Sequence, residues 1–509
     1  MTVAGLAVGA RPPGATPVTL PVRRARSAGL LGLVRKDAWL TLAVDAAASM
    51  ERSASVVAAA TTDARPVYGV TTGLGAMADV PAAEPERTQL EYIVNYAVGV
   101  GESLPAEVVR LALLLRANTL ALGMSGVRPL VVRSQIALFN SGCVPVVPRF
   151  GSVGASGDLV PLAHLMLPLL GRGRVCMPDG KIVDGESALR SLGLVRLELE
   201  TKEGVSLVNA HAFSLALAIS VLDGVKRLAR WADAAASLSL LALSGHRESF
   251  AAEFARAGWS SGADAVARRV RGWIVGCGPF GHFAAFGPND PYSFRCVPQI
   301  HGAVIDVVDD CEAVLDRECN AASDNPLVLG DRIVSGGMFH GEGIAMRVDA
   351  MRAGLLALAE ASTQRQQWLG DRSLRPRANR GAGLRSVSAA ATGAVAASRT
   401  TPLNVLAGSQ LGRLRTLALP ATMTSVSLEY GLQDVVSMAM TSGLMALDAL
   451  DGLAVVLACE VVTAAIRVRE RSRRTGPRLS DLMAWVSPAA ADGSLQQDVL
   501  RVQARMMAP

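Results

Sequence analysis

The sequence predicts a mainly α protein: a long helical bundle with a smaller, mixed N-terminal domain. Half of the 509 residues are apolar and only 4% are aromatic, with Ala and Leu dominating, a mix that favours packed helices. From about Val205 onward, apolar residues recur every three to four positions over long runs, the period of a helix with a buried face. Before that point, short helical runs alternate with loops rich in Gly and Pro. A chain of this length can bury a large core.

Taken in order, residues 1–27 combine Pro, Gly and Arg without a sustained apolar stretch, and predict a flexible tail rather than a signal segment. Residues 28–204 predict the mixed domain, with a helix in EVVRLALLLRANTLAL from Glu107 and with the loops VYGVTTGLG and CVPVVPRFGSVGASG, where chemistry can sit. Residues 205–509 predict the bundle. Its long helices are SLALAISVLDGVKRLARWADAAASLSLLALSG from Ser214, DAMRAGLLALAEASTQRQQWL from Asp349, and the segment from Leu447 to Arg469. No short repeat suggests a solenoid.

Composition excludes several classes. The net charge of +6 comes mostly from VRRARS near the start and RVRERSRRTGPR from Arg467. Neither run has the interleaved aromatics of a nucleic-acid reader, so both predict solvated surface and no nucleic-acid partner. The most apolar stretch, MTSGLMALDALDGLAVVLACEVV, carries Asp448, Asp451 and Glu460, which are costly in lipid, so a buried helix and no membrane association are expected. Seven cysteines without CxxC spacing argue against a disulfide framework or a zinc cage and fit a reducing cytoplasm. Six histidines without an HExxH pair give no metal site.

The stretch GSVGASGDLVPLAHL, from Gly151 to Leu165, fits neither a phosphate-binding loop nor a dinucleotide turn, and falls one residue short of a serine-hydrolase elbow. One reading is a tight loop with Asp158 capping the helix LVPLAHLMLPLL and Pro161 in its first turn. The other is chemical. In Ala155-Ser156-Gly157 the glycine nitrogen can attack the alanine carbonyl carbon, and loss of two waters, one from the ring and one from the serine, leaves an electrophilic methylidene-imidazolone. Glycine at the attacking position removes hindrance and allows unusual dihedrals.

This stretch resembles the signature of the histidine, phenylalanine and tyrosine ammonia-lyases and aminomutases, in which the triplet becomes the prosthetic group MIO. Four further blocks are similar to that family in the same order: VYGVTTGLG (Val67–Gly75), DPYSFRCVPQIHG (Asp290–Gly302), ECNAASDNPL (Glu318–Leu327) and EYGLQDVVSM (Glu429–Met438). The resemblance implies an ammonia-lyase fold, MIO formed autocatalytically from Ala155, Ser156 and Gly157, no metal, and a homotetramer with a long central helical bundle. It further implies Tyr68 as catalytic base, which needs neighbours that stabilise phenolate, and Tyr292 beside the prosthetic group. Arg295 would hold the substrate carboxylate as a planar fork, Asn325 would touch the carboxylate or the prosthetic group, and Glu429 and Gln433 would lie near the amine. Gly75, Leu159 and Asn209 complete the implied binding set. A poor leaving group and a weakly acidic β-proton call for this combination of electrophile and base.

The pair implied to face the substrate ring is Asn95-Tyr96, unlike the Ser-His, His-Leu and Phe-Leu pairs of the histidine, tyrosine and phenylalanine enzymes. Gln433 stands where histidine lyases tend to have Glu. The expected activity is therefore elimination of ammonia from tyrosine or a related aromatic amino acid to give a trans-arylacrylate. A 2,3-aminomutase and a histidine ammonia-lyase are the alternatives. In VNAHA, Asn209 is kept while Ala210 and His211 replace the usual Gly-Thr, and Met338 replaces a common Asn; these departures motivate a non-catalytic homologue as a further alternative.

Overall fold

The structure is a computed structural model that describes residues 11–62, 66–81, 84–154, 157–281, 289–370, 387–487 and 495–508. It is mainly helical, and its chain clusters into two compact units built from interleaved segments. The first unit comprises Met1–Ser220, Glu312–Val348 and Pro420–Leu444, and the second comprises Val221–Cys311, Asp349–Leu419 and Met445–Pro509.

In the first unit, every residue from Leu111 to Leu120 of helix Ala106–Leu120 is buried, Arg116 and Asn118 among them. A helix with no solvent-facing side belongs inside a core. Helix Pro129–Asn140 packs beside it, opened by a proline whose missing N–H costs nothing at that position. Short strands surround them: Val144–Pro145, Arg174–Cys176 and Ile182–Asp184 form one antiparallel sheet, and Leu327–Leu329 pairs with Arg332–Val334.

The expected flexible tail is corrected over its second half. Residues 1–10 lie outside the described residues, but Pro17–Leu20 is a strand paired in parallel with Trp39–Leu42, and Leu20 is fully buried. The Val22 N–H donates to Asn118 Oδ1 at 2.6 Å, the Ala25 N–H to Asn320 Oδ1 at 2.8 Å, and the Ser27 N–H to Asp316 Oδ1 at 2.7 Å. These partners are distant in sequence, so composition could not reveal them.

The second unit carries the most apolar part of helix Ala439–Glu470. By length and hydropathy this helix could cross a bilayer, as could the stretch Glu203–Leu243, but 83% and 94% of their most apolar windows are buried inside the protein. Glu460 shows why this is a core helix. Its Oε1 accepts from Arg365 Nε at 2.6 Å and from Ser239 Oγ at 2.7 Å, and its Oε2 from Arg365 Nη2 at 2.9 Å. Both side chains of the pair are fully buried. Removing one partner of such a pair strands the other charge, so Arg365→Met is expected to lower unfolding free energy by about 3–5 kcal/mol. In chemical denaturation, Arg365→Met with Glu460→Leu should recover most of that loss; equal loss in both variants would count against the pair.

The basic run from Arg467 is also corrected: part of it is structural rather than solvated. Arg467 Nε donates to the Leu369 carbonyl at 2.7 Å, and Arg469 reaches the carbonyls of Met483, Val486 and Ser487 at 2.8 Å. Arg471 donates to the Ala242 carbonyl, and burial, with Arg473 and Arg467 nearby, lowers its pKa to about 10. Guanidinium groups suit this use because their several donors satisfy carbonyls left open where helices end.

Candidate active site

The first unit contains a cleft of about 370 Å³. Tyr68, Gly75, Asn209, Asn325, Glu429 and Gln433 all line it, so the structure gathers six sequence-predicted residues from four distant segments.

Tyr68 sits in a tight turn in which the N–H groups of Val70, Thr71 and Thr72 converge on the Val67 carbonyl. Its hydroxyl oxygen accepts from the Gly75 N–H at 3.2 Å. Burial raises the phenol pKa most, the Gly75 hydrogen bond lowers it, and the nearby Glu429 charge raises it again. Within this unit the net result opposes the phenolate that sequence reasoning asked of this residue.

Gly75 adopts φ +57°, and a Cβ there would come within 2.8 Å of Glu429 Oε2. Its missing side chain is the room that the carboxylate occupies. Glu429 and Tyr430 themselves take left-handed φ values of +48° and +57°, unfavourable for residues with a Cβ. Paired hydrogen bonds between Leu428 and Gln433 close this turn.

Asn209 follows the short helix Glu203–Val208. Its amide donates to the Asn325 carbonyl at 3.1 Å, while its Oδ1 is buried with no partner among the described residues. Asn325 Oδ1 accepts from the Gly336 N–H at 2.7 Å, and the Asn325 N–H donates to Asp324 Oδ1 at 2.8 Å. Beneath it, Asp324 lies 3.3 Å from Lys202 Nζ and 3.7 Å from Arg116 Nη2, with all three side chains fully buried. Burial pulls the pKa of Lys202 down and Asp324 pushes it back up. Sequence reasoning missed this cluster; Asp324 adjoins Asn325 in the quoted block, but Lys202 and Arg116 carry no local signal.

Of the predicted triplet, Ala155 and Ser156 lie outside the described residues. Gly157 is described and has φ +70°, with a Cβ position only 2.0 Å from the Ala210 carbonyl oxygen. Only glycine fits there. The backbone on both sides is held firmly: the Asp158 N–H donates to the Ala210 carbonyl at 2.6 Å, and the Met438 N–H to the Val153 carbonyl at 2.8 Å. Asp158 does not cap its own helix, Leu159–Met166, through its side chain. Its carboxylate instead accepts from the Ser214 N–H at 2.7 Å, Ser214 Oγ at 2.8 Å and Ser152 Oγ at 3.1 Å. Burial raises its pKa, and the Ser214 hydrogen bonds with the nearby His211 and Ser152 pull it down. His211 is itself buried, with Nε2 3.1 Å from Glu318 Oε2.

Other predicted residues stand elsewhere. Leu159 is buried at the start of its helix. Asn95 lines an adjoining hollow with Gly73, Met77 and Glu91, which shares Tyr92 with the cleft. Tyr96 donates its hydroxyl to Glu429 Oε1 at 2.6 Å. Its ring lies 4.6 Å from that of Tyr92, a cleft-lining residue that sequence reasoning missed although it precedes Tyr96 by four positions, the spacing of one helix face. Tyr292 and Arg295 belong to the second unit, where the guanidinium lies 4.8 Å from the centre of the largely exposed Tyr292 ring. Among the described residues, no group of three His, Cys, Asp or Glu side chains could hold a metal ion.

The family model for aromatic amino acid lyases matches residues 27–488 of this chain. The histidine ammonia-lyase of Anaeromyxobacter sp. (strain K) is 36% identical over 483 residues, covering 90% of this chain and 92% of its own. Among solved structures, histidine ammonia-lyase from Trypanosoma cruzi is similar with a TM-score of 0.81 at 29% identity, over 96% of this chain and 93% of its own. Tyrosine aminomutase from Streptomyces globisporus is similar with a TM-score of 0.84 at 26% identity, over 96% and 97%.

Proposed function

We propose, from the premise that this chain belongs to the aromatic amino acid lyase family and so is a carbon–nitrogen lyase, that it eliminates ammonia from tyrosine or a related aromatic L-amino acid to give a trans-arylacrylate. The observation that carries this is the convergence of a phenol, a carboxylate and three amides, from Tyr68, Glu429, Asn209, Asn325 and Gln433, on one cleft. Those groups match an amino acid's ammonium, carboxylate and β-proton.

The residues around the triplet fit the prosthetic group MIO proposed to form from Ala155-Ser156-Gly157. Gly157 has the left-handed backbone and the absence of a side chain that ring closure wants, and the Asn209 amide has a second N–H beyond the one it gives the Asn325 carbonyl, a donor suited to the group's carbonyl oxygen. When formed, the group supplies an electrophile for the substrate amine. Asn209 and the Gly157 backbone would hold it. Tyr68, deprotonated to the phenolate, takes the β-proton on its phenolic oxygen, and Glu429 with Gln433 receives the ammonium. Asn325, with Leu159 and Gly75 completing the binding set, orients the substrate; Arg295 as carboxylate fork, Tyr292 as orienting residue and a homotetrameric assembly follow from the family resemblance.

Gln433 brings a neutral amide to the cleft where histidine lyases tend to have Glu, which weighs against histidine as the substrate. A second reading, histidine as substrate, is favoured by the identity to histidine ammonia-lyases, and retention of the amine as a β-amino acid by the likeness to aminomutases. Purified protein incubated separately with L-tyrosine, L-phenylalanine and L-histidine, with arylacrylate absorbance followed beside chromatography for β-amino acids, separates them. Hydroxyphenylacrylate as the main product is expected. Imidazolylacrylate formed at a higher kcat/KM would move the assignment to histidine, and no turnover of any of the three would overturn the proposal.

A further inference from the structure

We propose that Tyr96 is a positioning residue: its hydroxyl holds Glu429 through Oε1 and so keeps the carboxylate at the cleft, where it receives the substrate's ammonium group. This rests on the cleft being the amino acid site, and it replaces the ring-facing role that the sequence implied for Tyr96.

The bond from Tyr96 to Glu429 Oε1 is 2.6 Å long, in the range of a strong hydrogen bond to an ionised acceptor. Tyr96 is itself steadied by the Tyr92 ring at 4.6 Å. On its other side the carboxylate sits in the space left by the missing Gly75 side chain. The backbone of Glu429 is held at φ +48°, a conformation that costs a non-glycine residue of order 1 kcal/mol or more and persists only where surroundings impose it. All three features fix one carboxylate in one orientation. Yet Oε2 is buried and has no hydrogen-bond partner among the described residues. A carboxylate held in one orientation at the cleft offers a cationic N–H donor both a complementary charge and free lone pairs. The Glu429 charge also helps to raise the Tyr68 phenol pKa. An ammonium bound at the carboxylate offsets that charge, so amine binding and ionisation of Tyr68 reinforce one another. Asn95, the other member of the implied ring-facing pair, lines an adjoining hollow that shares Tyr92 with the cleft.

The test compares two ligands that differ in the amine: L-tyrosine and 3-(4-hydroxyphenyl)propionate. Each is titrated calorimetrically against the full chain, its Tyr96→Phe variant, its Glu429→Gln variant and the double variant, with turnover of tyrosine measured in parallel. Tyr96→Phe keeps the ring contact with Tyr92 and removes the hydroxyl with its bonds to Glu429 and to the Tyr92 side chain. It is expected to weaken L-tyrosine roughly ten- to hundredfold, the effect of a hydrogen bond to a charged group, while the propionate changes less than about twofold. The double variant is expected to be no weaker than Glu429→Gln alone, because Tyr96 acts through Glu429. Equal weakening of both ligands, or additive losses, would overturn the positioning role. Absence of turnover with this binding pattern intact would overturn the lyase assignment alone, and a parent chain that binds neither ligand would overturn both.

Discussion

Ser156→Ala is expected to reduce turnover by roughly 10³-fold or more and to leave the chain at the full mass of its residues, where the parent chain is lighter by two waters. The serine hydroxyl is the oxygen lost in the second dehydration, so alanine at this position leaves no route to a methylidene carbon. Elimination would then face an unactivated amine as leaving group, and a deficit of a few kcal/mol in transition-state stabilisation already amounts to the stated factor. The flanking clamps at Asp158–Ala210 and Val153–Met438 are backbone hydrogen bonds that the substitution does not touch, so the fold should persist. Intact mass spectrometry and a steady-state assay on the same preparations check both halves. Full activity in Ser156→Ala would refute the mechanism.

Tyr68→Phe is expected to lower kcat by about 10²–10⁴-fold, the usual contribution of a positioned acid–base group, with little change in substrate affinity. A base works in its deprotonated form, and burial with the Glu429 charge raises the Tyr68 pKa above its ordinary value of 10.0. The sign is therefore fixed: kcat/KM should climb with pH from neutrality into the alkaline range, and the climb should vanish in Tyr68→Phe. A pH–rate profile of parent and variant from pH 7 to 10 decides it. A flat parent profile, or a phenylalanine variant that keeps the climb, would show that another group titrates.

Much of this protein is visible in its linear chain because the relevant physics is local. The long helices after Val205 follow from apolar spacing, and Ala439–Glu470 appears where that spacing places it. The proposed electrophile needs only three consecutive residues, so its chemistry can be read without any knowledge of the fold. Tyr92 was within reach for the same reason, one helical turn before Tyr96. The strand Pro17–Leu20 was not, since a parallel partner across an intervening helix leaves no mark on composition.

The sequence by itself determined the helical class and the family motifs, both of which are set by neighbours within a few positions. Only the tertiary structure decided that Asp158 serves Ser214 and Ser152 rather than its own helix, that Lys202 and Arg116 meet at Asp324, and that Tyr96 turns to Glu429. Tyr96 and Glu429 are 333 positions apart. A hydrogen bond depends on distances of tenths of an ångström, and the folding of every segment between two such residues sets that distance, so no local pattern can encode it.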